Sequence, residues 1–328
     1  MKIIFLTASF KTPSTRYRVL QNLDAWRELG FEVEAVPLPK ANRKRLELLV
    51  RLSSYDVVVL QKRLLHRHTL FILRRFCRRL VYDFDDAVMY SDSNRDEFYS
   101  PRKMARFTAT VRAADLVVAG NDYLAAEALK ARARKVAVVP TGVDCKYFSP
   151  PPAEVTPARP LTLGWIGSRP NLVYLETLVE PLNRLYEKRR DFKLKVVCDV
   201  FPEGFACPVE KVAWSAADEV EALQSFDIGL MPLVEDPWTR GKCAFKLLQY
   251  MACGRCAVAS DSAVTREIVT PGENGFLARD PEEMAAVIDR LLDEPEKLAP
   301  IGANARRAVL GRYDHETVAR TYAGFFHL

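Results

Sequence analysis

The chain has 328 residues, 49% of them hydrophobic, and a net charge of +6. That length fits two domains of about 150 residues each better than one core. No stretch approaches the roughly 20 uninterrupted apolar residues needed to cross a bilayer, and the opening MKIIFLTASFKTPS meets a proline before any cleavage pattern, so a cytoplasmic protein is expected.

The N-terminal half alternates short β-rich apolar runs with stretches of helical period, as a parallel sheet wrapped by helices would. Strands are predicted at Lys2 to Thr7, Glu32 to Pro37, Val57 to Leu60, Leu80 to Asp83, Leu116 to Ala119 and Val136 to Val139. Between the first two, Val19, Leu20, Leu23, Trp26 and Leu29 recur at helical spacing and Gly30 stops the helix, a Rossmann-like βαβ opening. Six prolines between Pro140 and Pro160 mark a linker. A second α/β pattern follows, with strands predicted at Leu161 to Ile166, Leu194 to Cys198, Lys211 to Trp214, Ile228 to Met231 and Cys256 to Ala259, and helices around 171 to 190, 217 to 225 and 244 to 253. Ala285, Val287, Ile288, Leu291 and Leu292 form one apolar stripe, and a last helix is expected near His315 to Phe326. The division is residues 1 to 150, a linker at 151 to 160, a second domain at 161 to 312, and a terminal helix at 313 to 328.

Charge is unevenly spread. Residues 1 to 150 carry 27 Lys and Arg against 16 Asp and Glu, whereas the remainder carries 21 against 26. Eleven cations fall between Arg43 and Arg79 with only Glu47 and Asp56 as acids. Such a face suits anionic lipid or a phosphorylated acceptor, or is simply solvated. The seven cysteines form no disulfide framework, and Cys253-x-x-Cys256, lacking a second pair or nearby histidines, reads as a helix-to-strand turn.

Ligands of open parallel sheets bind beyond the carboxyl ends of the strands. Three segments fit. Gly167, Ser168 and Arg169 end a strand and offer amides, a hydroxyl and a guanidinium to a phosphate. Arg240, Lys242 and Lys246 crowd the start of the helix ending at Gly254, an arrangement that is unfavourable unless an anion sits there. Asp83, Asp85 and Asp86 end another strand, and three carboxylates so close would raise at least one pKa, or recruit cations or sugar hydroxyls. D-x-D is also a metal pattern, and a turn or cap is the plainer reading. Arg16 and Arg18, in the loop after the first strand, would reach the same end, with Ser14 or Thr15 as a helix cap.

Together, Val138-Val-Pro-Thr-Gly-Val-Asp144 with Phe148, Ser225-Phe-Asp-Ile-Gly-Leu-Met-Pro232, Lys246-Leu-Leu-Gln-Tyr-Met-Ala-Cys-Gly254 with Val258-Ala-Ser260, and Glu267-Ile-Val with Gly272 and Asn274-Gly-Phe-Leu277 resemble glycosyltransferase family 4 and its GT-B relatives over nearly the whole chain. The resemblance implies two Rossmann-like domains with parallel sheets facing a central cleft, and a last helix crossing back to the first domain. It implies a UDP- or GDP-sugar held by the second domain, with Gly167, Ser168, Arg169 and Lys246 near the diphosphate and Val212 to Ser215, including Trp214, near the base. It also implies transfer with retention, no required cofactor and no metal. Asp85 and Asp86 are the catalytic candidates beside Arg169 and Lys246, with Arg16, Arg18 and Asp83 on the acceptor side. The sequence departs from the family where two glutamates seven residues apart would stand, because Gly241 and Gln249 occupy those positions; Gln249 would still bond ribose hydroxyls, and Arg240 or Lys242 would compensate. The aspartates also stand where many relatives place a histidine.

The expected activity is therefore sugar transfer to a cell-envelope glycan or lipid-linked acceptor in polysaccharide biosynthesis, with peripheral contact at the inner face of an anionic membrane and no nucleic-acid partner. A nucleotide-sugar epimerase or hydrolase of the same fold, and a non-catalytic binder of an anionic polymer, are the alternatives.

Overall fold

The computed structural model describes residues 1–39, 41–95, 97–152 and 160–327, so most of the expected linker, 153–159, lies outside the described residues. The chain forms two compact units. The first contains Met1–Gly142, Asp236–Cys243 and His315–Leu328; the second contains Val143–Glu235 and Ala244–Asp314.

The first unit is a parallel sheet of β1 (Lys2–Thr7), β2 (Glu32–Pro37), β3 (Val57–Gln61), β4 (Leu80–Phe84), β5 (Leu116–Ala119) and β6 (Val136–Val138). Helices α1 (Pro13–Arg18), α2 (Leu23–Glu28), α3 (Asn42–Arg51), α4 (Arg67–Phe76), α5 (Pro101–Ala113) and α6 (Asp122–Lys130) connect them. β3, β4 and β5 are buried along their whole length, because helices cover both faces, and so they read as largely apolar runs interrupted by Gln61 and Asp83 near the ends of β3 and β4. The order β2-β1-β3-β4-β5-β6 reverses direction between β1 and β3, opening a crevice at the carboxyl ends of those strands.

The second unit repeats the plan with β7 (Leu161–Ile166), β8 (Phe192–Val197), β9 (Val209–Val212), β10 (Ile228–Met231), β11 (Cys256–Ser260) and β12 (Phe276–Ala278), in the order β12-β11-β10-β7-β8-β9. Its helices are α7 (Leu172–Glu176), α8 (Val179–Arg189), α9 (Glu219–Gln224), α10 (Phe245–Ala252), α11 (Ala263–Arg266), α12 (Pro281–Asp293) and α13 (Leu298–Arg312). The reversal here falls between β7 and β10, which pair only through Leu163–Ile228 and Gly164–Gly229. Beyond that point the Tyr250 hydroxyl takes the ladder's place, accepting from the Ile166 amide at 3.2 Å and donating to the Leu230 carbonyl at 3.1 Å. A Cβ at Gly229 would lie 2.5 Å from the Tyr250 ring, and one at Gly164 would lie 1.9 Å from Phe226. The glycines therefore admit the two rings that splay the strands.

α14 (His315–Gly324) belongs to the first unit, where Trp26 donates from Nε1 to the Ala319 carbonyl at 3.0 Å and stacks on Phe5 at 4.8 Å. β9 starts two residues before the predicted strand and ends at Val212, leaving Trp214 beyond it, and β12 was not anticipated because its three residues are too few for a periodic signal. Asp236–Cys243, expected within the second domain, packs with the first unit. All seven cysteines are free thiols; Cys253 and Cys256 are buried, and burial pushes both up to about 12. Among the described residues no helix is long and apolar enough to cross a membrane.

Candidate functional site

At the first unit's switch point, the strand ends deliver a buried charge cluster. Arg18, on the last turn of α1, grips Asp83 with both prongs: Nε to Oδ1 at 2.9 Å and Nη2 to Oδ2 at 2.7 Å. Its Nη1 donates to the Val139 carbonyl at 3.0 Å and the Thr141 hydroxyl at 3.2 Å. Burial opposes the guanidinium's charge, but the bonded Asp83 carboxylate more than offsets it and the pKa of Arg18 is raised.

Beside this pair Lys62 directly follows β3 in a left-handed conformation, φ 59°, which side chains other than glycine rarely adopt. Its amide donates to the Asp83 carbonyl at 2.7 Å. Its ammonium bonds Asp86, donates to Ser14 Oγ at 2.7 Å and lies 3.4 Å from Asp85 Oδ1. Ser14 in turn donates to Asp85 Oδ2 at 2.6 Å, so Ser14 serves this cluster rather than capping α1, whose cap residue is Thr12. Burial alone would raise Asp85, but Lys62, Arg18 and the Ser14 hydroxyl hold it below its ordinary value. Lys62, despite burial, is raised by Asp85 and Asp86. The expected repulsion among the three aspartates is thus answered by two cations, and Asp85, expected to be a candidate for a raised pKa, is held down instead. Among the described residues no group of three or more His, Cys, Asp or Glu side chains is placed to hold a metal. The Arg16 guanidinium stands 4.8 Å from the Tyr17 ring.

The strap Asp236–Cys243 is fastened against this cluster. Asp236 accepts from Ser93 Oγ at 2.6 Å and from the amides of Trp238 and Thr239. Asn121 caps α6 through Oδ1 while its Nδ2 donates to the carbonyls of Lys242 at 3.1 Å and Arg240 at 3.4 Å. Cys243 lies against the Asp85 carbonyl at 3.3 Å, where Gly120 leaves room for its sulfur. Gly241 is buried, and a Cβ there would stand 2.6 Å from the Ala87 nitrogen. That contact is a physical reason for the missing first glutamate. Arg240 and Lys242 accordingly belong to the first unit, not to the unit that carries the other expected donor residues, and the Lys242 ammonium stands 5.5 Å from the Trp238 ring.

In the second unit, Gly167, Ser168 and Arg169 follow β7 at the switch point. Gly167 lies on Trp165, whose ring a Cβ would approach to 2.5 Å, and the Lys246 ammonium rests 4.3 Å from that ring's centroid. α10 starts on Ala244 with φ 51° and has no side-chain cap and no acid in its first turn. Ser168 Oγ accepts from Asn171 at 3.1 Å, and the Arg169 amide donates to Asp199 Oδ1 at 3.2 Å. Trp214 is 46% exposed beyond β9, its amide bonded to the Cys198 carbonyl. Gln249 is buried, and its amide donates to Glu219 Oε1 at 2.8 Å; the side chain expected to reach ribose is engaged by a carboxylate from α9. Asn274 closes its own turn, accepting from the Thr270 amide and donating to the Ile268 carbonyl.

Lys62, Ser14, Asp199 and Glu219 escaped the reading of the sequence as site residues. Lys62 carried a usable signal, since a lysine just beyond the apolar run Val57 to Leu60 stands at a sheet's ligand-binding edge. Glu219 carried none, because its meeting with Gln249 joins residues 30 apart.

Residues 169–324 match the family model described as glycosyl transferase-like. The MMP alpha-(1->4)-mannosyltransferase of Mycolicibacterium hassiacum is 29% identical over 199 residues, 56% of this chain and 46% of that enzyme, so the match spans about half of the relative. The fold is similar to that of Anabaena HepE, solved in complex with UDP and glucose, with TM-score 0.76, 18% identity and coverage of 100% of this chain and 99% of HepE. It is similar also to sucrose-phosphate synthase from Thermosynechococcus elongatus, with TM-score 0.76, 14% identity and coverage of 99% and 98%. The chain has the GT-B fold, and its residues 169–324 match the glycosyl transferase-like family model.

Proposed function

We propose that this chain is a retaining glycosyltransferase, akin to family 4, which moves a hexose from a UDP- or GDP-sugar to a hydroxyl of a cell-envelope glycan or lipid-linked acceptor. The observation that carries the reading is the second unit's switch point. There Gly167, Ser168, Arg169 and Lys246 gather at strand and helix ends with no acidic residue in the first turn of α10. Backbone amides and cations so placed suit a diphosphate. The UDP complexes of the similarly folded HepE support the same donor class.

In this reading the bond between the sugar's anomeric carbon and the diphosphate oxygen breaks, its electron pair going to that oxygen. Arg169 and Lys246 stabilise the charge that develops there. The acceptor oxygen forms the new bond on the same face, and its proton passes to the departing diphosphate. Trp214 stacks near the base. Gln249 and Glu219 together meet the ribose hydroxyls, the carboxylate standing in for the glutamate absent from position 249. The first unit holds the acceptor. Asp85 and Asp86 orient its hydroxyl, Arg18 and Asp83 keep the strand ends rigid beneath them, and Arg16 lies at the rim.

The test is a thermal-shift comparison of UDP, GDP, ADP, CMP and dTDP, with and without magnesium. At about a hundred times its Kd, a nucleotide stabilises the native state by about 2.7 kcal/mol, which raises Tm by several degrees. A rise selective for UDP or GDP is expected. Flat melting curves at millimolar nucleotide would overturn the donor-site reading.

A further inference from the structure

α3 packs on α4, and α4 packs on α5, forming one side of the first unit. Their inward residues, Leu48 and Leu49 of α3, Leu70 and Leu73 of α4, and Phe107 and Val111 of α5, enter one apolar core. Cationic and large apolar side chains predominate among the exposed residues of these helices, and Glu47 is the one acid.

On α4, Arg67, Phe71 and Arg75 follow one another at four-residue spacing, which places them in a single row opposite Leu70 and Leu73. Phe71, in the middle of that row, is 74% exposed, the most exposed large apolar side chain among the described residues. On α3, Leu46 and Val50, one turn apart, are 51% and 49% exposed and flanked by Arg43 and Lys44. α5 contributes Arg102 and Arg106 and contains no acid. The two acids among residues 43 to 79 are already engaged, Glu47 by Arg43 at 3.2 Å and Asp56 by Arg78 at 3.2 Å. Lys44, Arg63, Arg67 and Arg75 make no ion pair among the described residues. The local field is visible at His66, which Arg106, then burial, His68, Arg102 and Arg45 hold below its ordinary pKa.

A single exposed phenylalanine needs no explanation, but apolar side chains set between unpaired cations on neighbouring helices are the composition that binds the interface of an anionic bilayer. Cations meet lipid phosphates while the apolar side chains enter the acyl boundary. Nucleic acid would satisfy the charge, but it offers nothing to Leu46 and Val50, which cannot stack on bases. We propose that the α3–α4 face, centred on Phe71 between Arg67 and Arg75, docks the protein on an anionic lipid surface. This goes beyond sugar transfer and does not depend on it.

The experiment is sedimentation of the full chain with vesicles of phosphatidylcholine alone, or with about one third phosphatidylglycerol, without nucleotide or acceptor. Binding to the anionic vesicles only, weakening as salt rises, is expected. Arg67→Ser with Arg75→Ser should weaken it about thirty-fold, and Phe71→Ser about ten-fold, with melting temperatures near that of the parent chain because none of the three side chains is buried. Equal binding to neutral vesicles, no binding to anionic ones, or full binding by Phe71→Ser would overturn the proposal. So would salt-sensitive binding to a single-stranded oligonucleotide that matches the vesicle affinity and ignores Phe71→Ser. Because the assay contains no donor, its failure leaves the transferase reading standing, and flat melting curves with nucleotides leave this one standing.

Discussion

Arg18 and Asp83 meet through two parallel hydrogen bonds with side chains only 2% and 1% exposed, 65 residues apart in sequence. The pair joins α1 to the end of β4 and, through the Val139 carbonyl, to the chain beyond β6. Removing one partner strands a buried charge, so Arg18→Met should destabilise the first unit by about 3 to 5 kcal/mol, read as a lower urea midpoint. Arg18→Met with Asp83→Leu should cost less than Arg18→Met alone, because neither charge is then left unpaired. A single variant as stable as the parent chain would show that the pair does not anchor these strand ends.

Lys62 links the cluster to pH. Asp85 is depressed in the folded chain, so its contribution to stability is present above the unfolded carboxyl value and disappears as pH falls through the folded one, below about pH 4. Lys62 is raised, so its contribution is full below about pH 10 and is lost only above that. Lys62→Met should therefore be less stable than the parent at pH 7, and the difference should shrink below about pH 4, where Asp85 can take up a proton. Guanidinium melts at several pH values measure this. A difference that stays constant from pH 7 to pH 3 would dissociate Lys62 from the carboxylates.

Gly241 should resist restoration of the family's glutamate. With a Cβ 2.6 Å from the Ala87 nitrogen, Gly241→Ala is expected to lower stability by about 1 to 3 kcal/mol, and Gly241→Glu by at least as much. Neither should raise transfer above that of the parent chain. A stable and more active Gly241→Glu would mean that the strap moves freely from the site described for it.

Lys246 bears on the proposed transfer itself. If it stabilises the departing diphosphate, Lys246→Ala should lower kcat by about a hundred-fold or more while the melting temperature without ligand stays near that of the parent chain. Transfer is measured with the nucleotide sugar that the melting screen selects. Undiminished turnover would remove Lys246 from the diphosphate site, and a collapsed melting temperature would make the Lys246–Trp165 contact structural instead.

The alternation of apolar strands and amphipathic helices determined both sheets, because a strand covered on two faces must be apolar throughout and is visible wherever it lies in the chain. β5, β7 and β10 lie at their predicted bounds for this reason, and β1 and the partly exposed edge strand β2 lie at theirs as well. Local rules also placed Asp83, Asp85 and Asp86 at a carboxyl strand end, and Gly167, Ser168 and Arg169 at another. What charge does within such a cluster was not legible: the triad looked repulsive until folding brought Arg18 and Lys62 against it, and a pKa depends on neighbours in space rather than in sequence. The same holds for Gly241, whose want of a side chain is explained by Ala87, and for Gln249, whose amide is engaged by Glu219. A residue's type and its place on a strand or helix follow from its own segment, but its partners and its free volume are set by segments far away in the chain, and those only the tertiary structure decided.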